Sequence, residues 1–299
     1  MDIENIVKNV TISSTIPRTN VKTNVLHPRV RAVLERPRIM QHTDNWFNER
    51  KLRLTASDIA GVMGLNPYSH PKQIFKKKTG RGPPRWTSFS CQHGLATEEE
   101  ARKVYEVITG IEMMEEDVGL LVHEKLDFIG ASPDGIAKYV PILLEIKCPT
   151  TRKIIQSQIP SYYIPQIQIQ MEVCNIDECH FMQYRPPTTF ENGVVDIVSV
   201  KRDNRWFREE CLPILSEFWH NVVEYYISID KPIGTQVENV NEMKKKKKNI
   251  VTYSPFMFIG NLNKYDDKLI SPKAIRTPQP EFAFVVDVHA SNSINITHQ

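Results

Sequence analysis

The chain has 299 residues, 40% of them hydrophobic, enough for one large or two small folded units with a sizeable core. A net charge of only +3 excludes a uniformly basic coat for nucleic acid, so any affinity for a polyanion has to reside in local clusters of Lys and Arg. No apolar run approaches the ~18 residues that span a bilayer, and the acidic Asp2-Ile3-Glu4 start lacks the basic and apolar regions of a secretion signal. Cys91, Cys148, Cys174, Cys179 and Cys211 form no C-x-x-C pair, which argues against a disulfide framework or a cysteine-built zinc site and for reduced thiols in an intracellular protein.

Residues 1–40, rich in Thr, Asn, Arg and Pro without sustained periodicity, read as a partly ordered leader, with the folded part starting near Gln41. Asp44 opens a helical pattern carrying Trp46 and Phe47. A second helix follows Thr55-Ala56-Ser57-Asp58, capped by Thr55 or Ser57 and stopped by Gly64. Lys72, Lys76, Lys77, Lys78, Arg81 and Arg85 mark a basic helix end and loop, and Thr97 to Ile108 is a strong helix ending at Gly110. Strands are predicted at Val118 to Val122, Phe128 to Ala131, Pro141 to Lys147, Cys179 to Tyr184 and Val194 to Lys201, forming a central mixed sheet. A helix over Tyr162 to Cys174, with Pro165 in its first turn, lies between the third and fourth. Asn204 to Ile229 is a long amphipathic helix interrupted by Pro213; beyond Pro232 the chain turns polar, with Lys244 to Lys248 in a tail or appendage. The expected division is therefore a leader (1–40), an α/β (α+β) domain (41–230) and a tail (231–299).

Candidate chemistry centres on Ser132-Pro133-Asp134-Gly135 and on Glu145-Ile146-Lys147. Asp134 sits at a sharp turn, and Glu145 and Lys147 share one face of a strand whose apolar flanks are of the buried type. Asp-Gly alone is usually a turn, and Glu-x-Lys alone a solvated cross-strand pair. On a buried strand, however, the charges need a partner such as a divalent metal.

Gly130-Ala131-Ser132-Pro133-Asp134-Gly135 followed by Leu144-Glu145-Ile146-Lys147-Cys148-Pro149 resembles the active-site core of the PD-(D/E)XK nucleases, specifically the lambda-exonuclease and YqaJ viral-recombinase branch. Three further segments are similar to motifs of that branch: Gln41-x-Thr43-x-x-Trp46-x-x-x-Arg50 with Thr55-Ala56-Ser57, then Gly94-x-x-x-Glu98-x-x-Ala101, then Tyr163-x-Pro165-Gln166-x-Gln168. The match runs in order from Gln41 to Arg185, half the chain.

The resemblance implies a restriction-endonuclease-like core, with a central mixed β-sheet flanked by helices. It implies metal ligation by Asp134, Glu145, the backbone carbonyl of Ile146 and Glu98, and hard oxygen donors suit two Mg²⁺ or Mn²⁺ ions. Lys147 would stabilise the pentavalent phosphate, and Gln166 would orient water or the scissile strand. Glu98 also reads as an ordinary first-turn acid, and Gln166 as a surface glutamine with Gln168 and Gln170 as neighbours. Arg50, Ser57 and Ser132 look like the family's phosphate-binding set. Lys76, Lys77 and Lys78 are candidate DNA-backbone contacts, or else a solvated helix face. The implied activity is a 5′-to-3′ exonuclease on double-stranded DNA ends serving viral or phage-type recombination, in host cytoplasm or nucleus, with a single-strand-annealing partner and a possible homotrimer ring. A structure-specific endonuclease and a non-catalytic DNA-binding protein on the same fold are the alternatives. Iron–sulfur relatives are disfavoured because the cysteines lack clustered spacing.

Overall fold

A computed structural model describes residues 3–14, 16–19, 24–82, 89–236, 285–289 and 293–297. The first half runs α1 (Ile3–Lys8), β1 (Val10–Ser14), α2 (Pro28–Leu34), β2 (Arg38–Ile39), α3 (Asp44–Lys51), β3 (Leu54–Thr55), α4 (Ala56–Val62), α5 (Pro71–Lys78), α6 (Phe89–Thr109), β4 (Leu120–Val122), β5 (Ile129–Ala131) and β6 (Gly135–Ile136). The second continues β7 (Ile142–Lys147), a 3₁₀ turn (Ser161–Tyr163), α7 (Ile164–Cys174), β8 (Glu178–Arg185), β9 (Gly193–Lys201), α8 (Asn204–Trp206), a π-helical turn (Phe207–Cys211) and α9 (Leu212–Ser228). An antiparallel hairpin, β10 (Val285–His289) and β11 (Ser293–Thr297), follows. Lys244 to Lys248 and Arg85 lie outside the described residues.

Apart from the β10–β11 hairpin, the described strands form two sheets where one was expected. The main sheet is mixed, in the order β1-β9-β8-β7-β6, with β1/β9 and β7/β8 parallel and the other pairs antiparallel. The predicted strands around Leu120 and Ile129 instead build a smaller sheet, β2-β4-β5-β3. After Ala131 the chain meets Pro133, which has no N–H to continue a ladder, and re-enters the main sheet as β6. The turn carrying Asp134 is thus the crossing point between the sheets.

Helix boundaries follow local chemistry. The Thr43 hydroxyl accepts the Trp46 N–H at 3.1 Å and starts α3. The Asp58 carboxylate accepts both the Thr55 N–H (3.0 Å) and its hydroxyl (2.8 Å), closing the first turn of α4. Gly64, at φ 73°, ends that helix in the left-handed region. Asn175 does the same for α7 at φ 51°, its N–H donating to the Met171 and Glu172 carbonyls of the last turn. Pro213 sits in the first turn of α9 and cannot donate to the carbonyl four residues back, and the helix widens into the π turn just before it.

Within the expected leader, residues 1–40, the described segments that carry α1, β1, α2 and β2 are part of the fold. β1 pairs along β9 from Val10↔Gly193 to Ser14↔Ile197, while Ile6, Val30 and Val33 are buried. Gly193 permits this approach, because a Cβ there would lie 2.7 Å from Val10 Cγ1 of β1. The β1 segment, Val-Thr-Ile-Ser-Ser, is half exposed and carries too little apolar alternation to be read as a strand. Two cores flank the main sheet. One joins α2, α4, α5, α7 and α9 to the smaller sheet; the other packs α1 and α6 against Leu144, Ile146, Met182 and Tyr184. Ile6→Ala is expected to lower the unfolding free energy by about 2–4 kcal/mol in a urea titration. A dispensable leader would leave the midpoint unchanged.

Candidate active site

β7 separates its side chains cleanly. Leu144 and Ile146 face the α6 core, while Glu145 and Lys147 face α7. Glu145 is 0% exposed. Its Oε1 accepts Gln166 Nε2 at 2.5 Å and is ion-paired with Lys147, and its Oε2 accepts Gln170 Nε2 at 2.6 Å. Gln166 and Gln170, four residues apart, lie on one face of α7. Gln168 points elsewhere, bonded to the Lys201 carbonyl and the Asp203 N–H. Asp134 approaches from the turn between the sheets, and its Oδ2 accepts the Ile146 N–H at 2.7 Å.

A pocket of about 190 Å³ opens beside these groups, lined by Glu98, Asp134, Gln166 and Gln170 on one side and by Trp46, Arg50, Thr55, Ser57 and Ser132 on the other. Arg50 donates to the Ser57 hydroxyl at 3.2 Å, and its guanidinium carbon lies 4.1 Å from the Trp46 ring centroid. The Trp46 indole N–H reaches the Ser132 hydroxyl at 3.0 Å. One wall is therefore anionic and the other cationic and hydroxylic.

The electrostatics follow from burial. Burial, then the nearby Glu145 and Glu98 charges, push Asp134 well above the usual carboxylate range. Glu98 is raised by burial and by Glu145. Burial alone would lower Lys147, but the Glu145 and Asp134 carboxylates outweigh it and raise its pKa, so the ammonium stays charged. Among the described residues no group of three or more His, Cys, Asp or Glu stands in a metal-ligating arrangement. The donor chemistry nevertheless suits a hard cation. The carboxylates of Glu98, Asp134 and Glu145 repel one another across the site, and the buried Gln170 Oε1 beside them has no hydrogen-bond partner among the described residues.

Behind the cationic wall lies a buried ion cluster. Lys78 is 2% exposed; its Nζ lies 2.7 Å from Asp58 Oδ2 and donates to the Arg50 (2.8 Å) and Arg53 (2.6 Å) carbonyls. Burial pulls its pKa down to about 8, although Asp58 opposes this. Lys78 is thus corrected from a DNA-backbone contact to an internal strut, because an ammonium spent on a carboxylate and two carbonyls cannot reach phosphate. Lys77 is half exposed but paired with Asp58 at 2.8 Å, Arg81 packs over Tyr225 at 4.3 Å, and Lys76 points to solvent.

Trp46, Asp58 and Gln170 went unassigned in the sequence reading. The Gln166/Gln170 spacing was the available signal for the last. Asp58 resembled an ordinary capping acid, and only the fold reveals its lysine partners.

Mixed sheet, flanking helices and a buried carboxylate–lysine pair define the class: a nuclease fold of the restriction-endonuclease type. Residues 45–177 match the YqaJ-like viral recombinase domain. The chain is 36% identical over 171 residues to protein R354 of Acanthamoeba polyphaga mimivirus, covering 52% of this chain and 31% of that one. It is 28% identical over 158 residues to protein D345L of African swine fever virus (strain Badajoz 1971 Vero-adapted), covering 43% and 44%. It therefore spans less than half the length of these curated relatives. The alkaline exonuclease LHK-Exo of Laribacter hongkongensis superposes with a TM-score of 0.53 at 26% identity, over 63% of this chain and 96% of that one. No helix among the described residues is long and apolar enough to cross a membrane.

Two tests follow. Lys78→Met leaves the half-exposed Lys77 as the one lysine paired with Asp58 and strips the Arg50 and Arg53 carbonyls of a donor; a loss on the order of 3 kcal/mol in urea is expected. Asp134 and Glu98 have raised folded-state pKa values, so without a cation their charged forms disfavour the fold, and stability falls as pH climbs from the ordinary carboxylate range through those values. In EDTA, Asp134→Asn should melt above the wild type by several degrees at about pH 8 and converge with it near about pH 4, and added Mg²⁺ or Mn²⁺ should raise only the wild type.

Proposed function

We propose that this chain is a metal-dependent deoxyribonuclease that removes nucleotides from the ends of double-stranded DNA in the 5′-to-3′ direction. The observation that carries the reading is the divided pocket: the Arg50–Ser57 pair stands across about 190 Å³ from the Glu98/Asp134 wall, spacing a phosphate grip from a hydrolytic site. The resemblance to LHK-Exo, an alkaline exonuclease also known in complex with dAMP, supports an exonuclease.

Asp134, Glu145, the Ile146 carbonyl and Glu98 would hold Mg²⁺ or Mn²⁺. When bound, such an ion lowers the pKa of water and neutralises charge on the leaving oxygen. Glu145 is held and oriented by Gln166, Gln170 and Lys147. The Lys147 ammonium, charged at neutral pH, stabilises the negative charge that builds on the phosphoryl oxygens. Arg50, Ser57 and Ser132 bind the 5′-terminal phosphate, with Trp46 holding Arg50 from behind. Such an end-resecting activity serves viral or phage-type recombination inside the cell, alongside a single-strand-annealing protein and in a ring of three copies.

Linear 5′-phosphorylated duplex and closed circular duplex, each incubated with Mg²⁺ and with EDTA, test the reading. Metal-dependent loss of linear DNA alone is expected. Cleavage of circles would assign an endonuclease, and binding without cleavage a non-catalytic role. Lys147→Ala should reduce the rate by at least about 10²-fold with DNA affinity nearly unchanged.

A further inference from the structure

A row of aromatic side chains leads from the surface to the catalytic lysine. Tyr68, in the loop between α4 and α5, is 76% exposed. Its ring meets Tyr162 edge to face at 5.6 Å, Tyr162 meets Tyr163 at 4.4 Å, and Tyr163 is backed by Phe181 at 5.4 Å. Lys147 Nζ lies 5.3 Å from the Tyr163 ring centroid. Cations border the same row. The Arg152 guanidinium is 6.0 Å from the Tyr163 ring, and Arg185 donates to the Arg152 carbonyl at 2.8 Å. Arg152 Nη2 and Arg185 Nε, both buried, have no hydrogen-bond partner among the described residues.

Tyr68 stands exposed at the front of this row, and the partly buried Tyr163, backed by Phe181, stands behind it. We propose that Tyr68, Tyr162 and Tyr163 form a stacking ledge for unpaired nucleobases of the DNA strand beside the scissile phosphate, with the positive charge of Arg152 and Arg185 beside it favouring the strand's polyanionic backbone. The proposal rests on the DNA-nuclease reading above. Glu145 is buried and its pocket is narrow, so the strand to be cut has to leave its complement to reach it. Unpairing is costly, and stacking of a freed base on an aromatic face offsets that cost without reading sequence. Aromatic faces bordered by positive charge are the combination that single-stranded nucleic acid recognises.

Binding in EDTA separates this from catalysis. The full chain is titrated with a blunt duplex and with a duplex bearing a short 5′ overhang that contains 2-aminopurine, whose fluorescence is quenched on stacking. Tyr68→Ala is expected to weaken overhang binding on the order of ten-fold and to abolish the quench, while blunt-duplex affinity changes less than about two-fold. Tyr68→Phe should behave as the wild type. Tyr162→Ala, checked for folding by its melting temperature, should repeat the loss. Equal overhang affinity and quench in wild type and Tyr68→Ala overturns the ledge alone, as does full function in Tyr68→Leu, which has bulk but no ring. Failure of the wild type to bind either DNA overturns the nuclease reading and the ledge with it.

Discussion

The pocket depends on keeping one carboxylate, Glu145, out of water. A buried charge is tolerated only when its oxygens are fully engaged, and here two amide donors and an ammonium meet them. That requirement propagates outward. Lys147 has to follow two residues later on the same strand face, and α7 has to be rotated so that Gln166 and Gln170 both look at β7. Pro165 at the start of that helix and left-handed Asn175 at its end set its limits, and its apolar residues lock it between the two sheets. The apparent polarity of α7, with three glutamines in five residues, reflects two opposite duties: two brace the carboxylate, and Gln168 ties the helix to the start of α8.

The opposite wall is built on the same principle with the charges exchanged. Arg50 and Ser57 belong to short elements, α3 and the first turn of α4, that could not hold a geometry by themselves. Lys78 and Asp58 join them from beneath, and Tyr226 of α9 donates to the Lys78 carbonyl at 3.2 Å, tying the cluster to the longest C-terminal helix of the core. Two buried ion clusters of opposite purpose thus face each other. Each is rigid because breaking it would strand a charge in the interior, which preorganises the groups lining the space between them.

What was legible in the residues follows from how local each signal is. Glu145 and Lys147 stood out because charges inside an apolar strand are anomalous, and Asp134 because it sits at a sharp turn before them; β7, β8 and β9 emerged as short apolar or alternating runs bounded by turn residues, and α7, whose Ile and Met residues suit either period, from its length and its place between strands. The split into two sheets was not legible, since β2, β3 and β6 are two residues long and exist only because partners lie beside them. Nor was the role of the segments that carry α1, β1, α2 and β2. The apolar residues Ile6, Val30 and Val33 are isolated in the sequence and become core only when the rest of the chain surrounds them. Lys78 was misread for the complementary reason: within a run of three lysines nothing local marks the one that points inward.

The parallel pairing of β1 with β9 has a kinetic side. Val10 is synthesised well before its partner Gly193, which follows only after both sheets' other strands have been made. A contact of such long sequence separation carries a large loop-closure cost and forms late, so the main sheet closes at the strand synthesised first. Until then the outer edge of β9 presents unpaired backbone groups, and this interval is when a nascent chain is most open to pairing with another copy of itself.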